Sequence, residues 1–249
     1  MFTLEQRVHL RTTLLADARA DERIVAAAIT GSAAAGEEDR WSDIDLAFAF
    51  ADPADLPELL TVWTDRMYSV HGAVHHLDVP AGPWLYRVFL LADTLQVDLA
   101  FVPVVEFRAL APTFQLVFGV AADAQHPAPP SATDLAGYAW LYALHARSSL
   151  QRNRLWQAEH MIRGLRDHTL ALACLRHGLP TAHGKGFDRL PTDVLFAVKG
   201  GFVQTLDPDE LGRAFRATLS CLLNELRYAD PVLAGHLELP LLAMADSGE

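Results

Sequence analysis

Gly31-Ser32-Ala33-Ala34-Ala35-Gly36-Glu37-Glu38-Asp39-Arg40-Trp41-Ser42-Asp43-Ile44-Asp45-Leu46 is the stretch on which the reading of this chain turns. It follows the apolar run Ile24 to Ile29, which ends at Thr30-Gly31 and reads as a first strand. Gly31 and the small residues after it permit a tight turn and a short helix over 31–36. Glu37 to Trp41 is a polar loop, and Asp43 to Phe50 reads as the second strand. In a strand, residues i and i+2 point to the same face. Asp43 and Asp45 therefore project side by side, while Ile44 and Leu46 point into a core. Two like charges so placed repel each other, and the arrangement is costly unless a cation sits between them. Oxygen ligands suit hard Mg²⁺, and His or Cys do not. The pair therefore has the character of a Mg²⁺-dependent phosphoryl-transfer site.

Working outward, residues 3–19 read as an amphipathic helix with Leu4, Val8, Leu14 and Leu15 among charged residues. Pro53 opens another helix carrying Leu56, Leu59, Leu60, Trp63 and Met67 at helical spacing. Residues 73–79, 85–91 and 95–102 read as three further strands, with turns at Gly82-Pro83 and Ala92-Asp93-Thr94. The last of them alternates, so Asp98 shares a face with Gln96 and Ala100, opposite Val97, Leu99 and Phe101. Asp98 is thus a single carboxylate on a sheet face, with Glu106 and Asp93 as rival third acids.

Residues 123–134 are rich in proline and polar residues and read as a linker. Beyond it the character turns helical. Leu155, Ala158, Ile162, Leu165, Thr169 and Leu172 form an apolar stripe on a long helix that Gly178 and Pro180 end. Residues 209–228 form another helix, with Leu211, Phe215, Leu219, Leu222, Leu223 and Leu226. The expected fold class is α+β: a small mixed sheet flanked by helices over residues 1–125, then a helical bundle over 126–249. The active site is expected in the cleft between them.

The 249 residues carry 31 acidic and 20 basic side chains, a net charge of −11. Lysine is confined to Lys185 and Lys199. Such a surface repels nucleic-acid backbones and attracts cationic small molecules. No uncharged apolar run reaches the roughly 18 residues of a membrane span, and no basic-then-apolar leader opens the chain. Cys174 and Cys221 lie in apolar helical patterns, as buried thiols of a reducing cytosol do.

The Gly31-Ser32 turn and Asp43-x-Asp45 about ten residues later, followed by Asp98 on a later strand, resemble the signature of the polymerase-β-type nucleotidyltransferase superfamily. The resemblance covers roughly residues 20–103. The helical half is similar only in general layout to the antibiotic-modifying members, such as aminoglycoside and lincosamide nucleotidyltransferases. By this resemblance Asp43, Asp45 and Asp98 are the catalytic and metal-binding residues, holding two Mg²⁺ ions. Asp98 would bind metal, act as general base toward an acceptor hydroxyl, or both. Gly31 and Ser32 would meet the triphosphate of ATP. The residues after Ser32 are Ala33-Ala34-Ala35, where many members carry a basic or polar residue. The implied reaction moves AMP from ATP to a hydroxyl of a small, cationic, aminoglycoside-like acceptor in the cytoplasm, by a monomer or homodimer. The alternatives are an antitoxin-type enzyme that adenylylates protein and a non-catalytic nucleotide-binding relative.

Weaker constellations complete the reading. Lys185, in the loop His183-Gly-Lys-Gly-Phe-Asp-Arg189, is a candidate triphosphate contact from the helical half. Arg163 to His168 has the Arg-x4-His spacing of helical ribonuclease domains, but solvated pairs such as Arg163–Asp167 account for it. His75-His76 and Asp78 read as polar surface or substrate-side residues, since adjacent strand residues face opposite ways. Glu37-Glu38-Asp39, Glu159 and Asp167 are candidates for gripping a cationic acceptor. Trp84, Tyr86, Tyr138, Trp140, Tyr142 and Trp156 are expected in core and interdomain packing, with one or two lining the acceptor cleft, and the apolar segment Leu237 to Met244 is expected to offer a surface to a partner chain.

Overall fold

The computed structural model describes residues 2–245. It divides into two compact units, with the boundary between Pro127 and Ala128. The first contains α1 (Leu4–Ala20), β1 (Ile24–Thr30), α2 (Gly31–Ala35), β2 (Ile44–Phe50), α3 (Leu56–Ser69), β3 (Ala73–Ala81), β4 (Trp84–Leu91), β5 (Gln96–Pro103) and β6 (Phe114–Phe118). The second contains α4 (Ala132–Gln151), α5 (Leu155–Arg176), α6 (Thr192–Lys199), α7 (Pro208–Ala229) and α8 (Pro231–Ala245). The fold is α+β, a mixed six-stranded sheet with helices followed by a helical region. None of the helices among the described residues is long and apolar enough to cross a membrane.

The strands lie in the order β3-β4-β5-β2-β1-β6. β2 and β5 run parallel, and every other neighbouring pair is antiparallel. Strand alternation splits the side chains of the central strands cleanly. Ile44, Leu46, Phe48 and Phe50 of β2, with Val97, Leu99 and Phe101 of β5, pack under α1 and α3. Trp63 of α3 is the largest fully buried side chain there, its ring 4.8 Å from Phe48. The opposite face is built from small residues, Ala26, Ala28, Ala47, Ala49 and Ala100, closed by Trp84 and Phe107. That alanine face carries the acids at its end.

Several expectations are corrected. β2 begins at Ile44, one residue later than the alternation suggested, so Asp43 sits in the backbone that enters the strand. β6 was not read at all. It is a five-residue edge strand whose partner, β1, lies far back in the sequence. In α1, Leu14 is buried as expected, but Leu4 and Val8 are exposed and Arg7 and Ala18 are buried in their place. Trp156, expected in packing, is 79% exposed. In the helical unit the stripes on α5 and α7 face one core, and α8 adds Ala234, Leu241 and Met244 to it. α4 and α7 start at side-chain caps, Ser131 and Asp207, and a proline follows Asp207.

The burial of Arg7 explains how the loop before β2 is held. Its side chain is 0% exposed, and Nη1 donates to the carbonyls of Asp39 at 2.6 Å and Ser42 at 2.8 Å. Glu38 lies 3.3 Å from Arg7 Nε and accepts from Arg11 at 2.6 Å. One guanidinium thus ties α1 to the backbone directly before Asp43. Arg7→Met is expected to lower unfolding free energy by about 2–4 kcal/mol, because the Asp39 and Ser42 carbonyls lose their donor and Glu38 keeps only Arg11. Urea denaturation measures this, and a loss below about 0.5 kcal/mol would mean the tether is idle.

Candidate metal centre and active site

The parallel register of β2 and β5 pairs Asp45 with Asp98 directly, as it pairs Ile44 with Val97 and Leu46 with Leu99. Asp43, on the approach to β2, adds a third carboxylate. One oxygen from each of Asp43, Asp45 and Asp98 lies within 4.8 Å of the others. All three side chains are partly buried. Among the described residues this is the one cluster of three His, Cys, Asp or Glu side chains that could hold a metal ion.

Burial leaves its mark on Asp98. Desolvation pushes its pKa up to about 6, Asp43 adds like-charge repulsion, and a 3.0 Å hydrogen bond from Gln96 Nε2 offsets part of the rise. Crowded, half-dried carboxylates are a donor set suited to a hard divalent ion. The rival third acids are engaged elsewhere. Glu106 pairs with Arg108 at 3.3 Å, and Asp93 accepts from the Leu95 amide at 3.1 Å.

Gly31 opens α2 with φ +64 directly against Asp45. A Cβ there would fall 2.8 Å from Asp45 Cγ and collide with its Oδ2. Only glycine combines the left-handed backbone with that approach. Ser32 Oγ is buried with no hydrogen-bond partner among the described residues. A buried hydroxyl left so is uncommon and fits a site built to receive a polar ligand. α2 itself is only five residues long.

Beyond the acids, Thr30, Ala47, Trp84, Tyr86, Ala100 and the 108–114 segment enclose a cavity of about 120 Å³. Trp84 and Tyr86 stack with centroids 6.1 Å apart. Burial raises the Tyr86 pKa, and the charge of Asp45 raises it further, which places the phenol within electrostatic reach of the acids. Neither the cavity nor the Tyr86–Asp45 coupling was read from the sequence. The alternation of β4 with β5 was the signal that held it, since Tyr86 pairs with Ala100 two residues along from Asp98.

The other candidates fall as follows. Lys185 belongs to the helical unit, exposed between two short turns, Ala182–Gly184 and Phe187–Arg189. Glu38 and Asp39, proposed to grip a cation, are held inside their own loop: Glu38 by Arg7 and Arg11, Asp39 by the Trp41 amide at 2.8 Å and Ser42 Oγ at 3.2 Å. Asp78 forms a two-pronged bond with Arg87, both arms 2.7 Å, which lowers its pKa. His76 meets Tyr68 Oη at 3.0 Å. Those residues make no metal site.

No family model and no curated protein matches the chain. Among solved structures, the chain is similar to the crystal structure of an aminoglycoside 6-adenyltransferase from Bacillus subtilis. The identity is 14%, the match covers 99% of this chain and 100% of that one, and the TM-score is 0.41. At that identity and TM-score nothing about the chemistry of this chain follows from the likeness.

Two outcomes follow from the site geometry. Gly31→Ala should destabilise the protein by about 1–3 kcal/mol in urea denaturation, through strain and displacement of Asp45. A neutral effect would mean the turn is not pinned against the acid. For Asp98 the sign follows from linkage. Its folded pKa of about 6 lies above the ordinary value. In chelator-treated protein its ionisation therefore erodes stability as pH rises from about 4 through about 6, and the loss is complete above that. Asp98→Asn should gain about 1–2 kcal/mol over the parent near pH 7.5, discounting for the solvent that still reaches the group. Equal stability at both ends of that range would contradict the desolvation.

Proposed function

We propose that this protein is a Mg²⁺-dependent nucleotidyltransferase that moves AMP from ATP to a hydroxyl of a small molecule, with an aminoglycoside-like acceptor as the first choice. The observation that carries this reading is the convergence of Asp43, Asp45 and Asp98, with oxygens within 4.8 Å of one another beside a Gly31-Ser32 turn. The resemblance of that motif to the polymerase-β-type signature supports the choice of nucleotidyl transfer over other phosphoryl chemistry. The net charge of −11 supports a cationic acceptor and disfavours nucleic acid. Two free, buried cysteines suit a cytoplasmic setting.

Asp43, Asp45 and Asp98 would hold the metal. When bound, Mg²⁺ neutralises phosphate charge and aligns nucleophile with leaving group. By the resemblance, Asp98 is also the candidate base for the acceptor hydroxyl. Gly31 lets the backbone approach Asp45, and Ser32 Oγ is free to donate to a phosphate oxygen. Trp84 and Tyr86 would shape the ground next to the acids for whatever ring or chain the acceptor or nucleotide presents.

The test is pyrophosphate release from Mg·ATP, with and without a panel of aminoglycosides and lincosamides. Release only with a small molecule supports the proposal. Label transfer to protein would favour an antitoxin-type modifier, and no turnover with no Mg²⁺-dependent ATP binding would favour a non-catalytic relative. Asp45→Asn should reduce turnover to background while its circular dichroism and melting remain those of a folded protein. Near-normal turnover in that variant would remove the metal assignment.

A further inference from the structure

The helical unit holds an open cavity of about 850 Å³ to which nucleotidyl transfer assigns no role. Its wall includes Arg166, only 9% exposed. A buried guanidinium is costly unless it is paired and hydrogen-bonded, and the pairing here is thin. Nη1 reaches the Gly201 carbonyl at 3.4 Å, and Nη2 stands 3.8 Å from Asp167 Oδ1, beyond hydrogen-bond range. Phe202 covers one face of the guanidinium, with Cζ 4.3 Å from the ring centroid. Burial lowers the Arg166 pKa, and Asp167 and Glu159 offset only part of that effect.

The surroundings increase the imbalance. Arg163, also on the wall, lies 3.6 Å from the same Asp167, so two cations share one carboxylate. His168 and His183 line the same space. His168 is held firmly: Nδ1 is 2.8 Å from the Gly164 carbonyl, and Tyr138 and Tyr142 lie 5.4 and 5.2 Å away, centroid to centroid. Gly164 has no alternative, because a Cβ there would overlap the Tyr142 ring. With Nδ1 donating to a carbonyl, Nε2 is the nitrogen left for a ligand. His183 adopts φ 56, a strained backbone for a non-glycine residue.

A fork of N–H donors with excess positive charge, in a space of small-ligand size, matches tetrahedral oxygens bearing more than one negative charge. We propose that this cavity binds a phosphate-bearing small molecule, with Arg166 taking its oxygens through the under-used side of the fork and Arg163 adding charge at the rim. Every residue in the proposal belongs to the helical unit, and none is one of the three aspartates.

Isothermal titration of the full chain tests this, in magnesium-free buffer with chelator, using inorganic pyrophosphate and, separately, ADP. Saturable binding of pyrophosphate identifies a free-phosphate site, and binding of ADP alone identifies a nucleotide site. Either supports the proposal if Arg166→Met weakens it by about tenfold or more. Arg163→Gln, at a side chain 66% exposed, should weaken it by a smaller measurable factor with melting unchanged, and it keeps the test decisive if the Arg166 variant fails to fold. The Asp43→Asn/Asp45→Asn double variant should bind as the parent does. No saturable binding of either probe overturns the proposal. So does binding that both arginine variants leave unchanged, or binding lost in the double aspartate variant.

Discussion

The in-register parallel pairing of β2 with β5 is the constraint on which the rest of this structure depends. It sets Asp45 against Asp98, and the same ladder sets Leu46 against Leu99 and Phe48 against Phe101. A slip of one residue would turn Phe48 and Phe101 out of the core and bring the acids into it. The hydrophobic packing of Phe48, Trp63 and Phe101 therefore enforces the placement of two like charges side by side. Burial under α1 and α3 stabilises the register, and the proton affinity of Asp98 is raised by desolvation first and by the charge of Asp43 second.

Around that pair the chain spends several unusual residues. A fully buried arginine in the first helix grips the backbone ahead of Asp43, and a glycine in a left-handed conformation lets the first βα turn touch Asp45. The alanines of the second sheet face leave room near the acids that larger residues would fill. These features share one consequence. They restrain the backbone before Asp43 and bring the turn against Asp45, which suits the divalent-ion site proposed above.

Much of this was legible in the sequence. The strand–turn–strand reading of residues 24–50 rested on strong local signals: an apolar run, a Gly-Ser turn and alternating aspartates. The long stripes on α5 and α7 are periodic enough to declare their buried faces. What escaped was tertiary. β6 is five residues, Phe114–Phe118, too short to stand out in the sequence, and it pairs with the edge of β1 far back in the chain. Arg7 sits in a helix where Leu4 and Val8 looked like the buried face. Its burial depends on carbonyls more than thirty residues away, which periodicity cannot register. Asp39 and Glu38 read as candidates for gripping a cationic acceptor and are instead satisfied within their own loop and by α1. The crowding at Arg166 needed α5 and the 201–202 segment to meet, again a contact without a local signature.

The central claim is that three carboxylates from separate points of one sheet form a divalent-cation site. Its most direct measurement is Mn²⁺ binding followed by water-proton relaxation, with Mg²⁺ as competitor, on the parent and on Asp43→Asn, Asp45→Asn and Asp98→Asn. The account predicts saturable Mn²⁺ binding that Mg²⁺ displaces and that each substitution weakens. Absence of binding in the parent, or binding indifferent to all three substitutions, would contradict it.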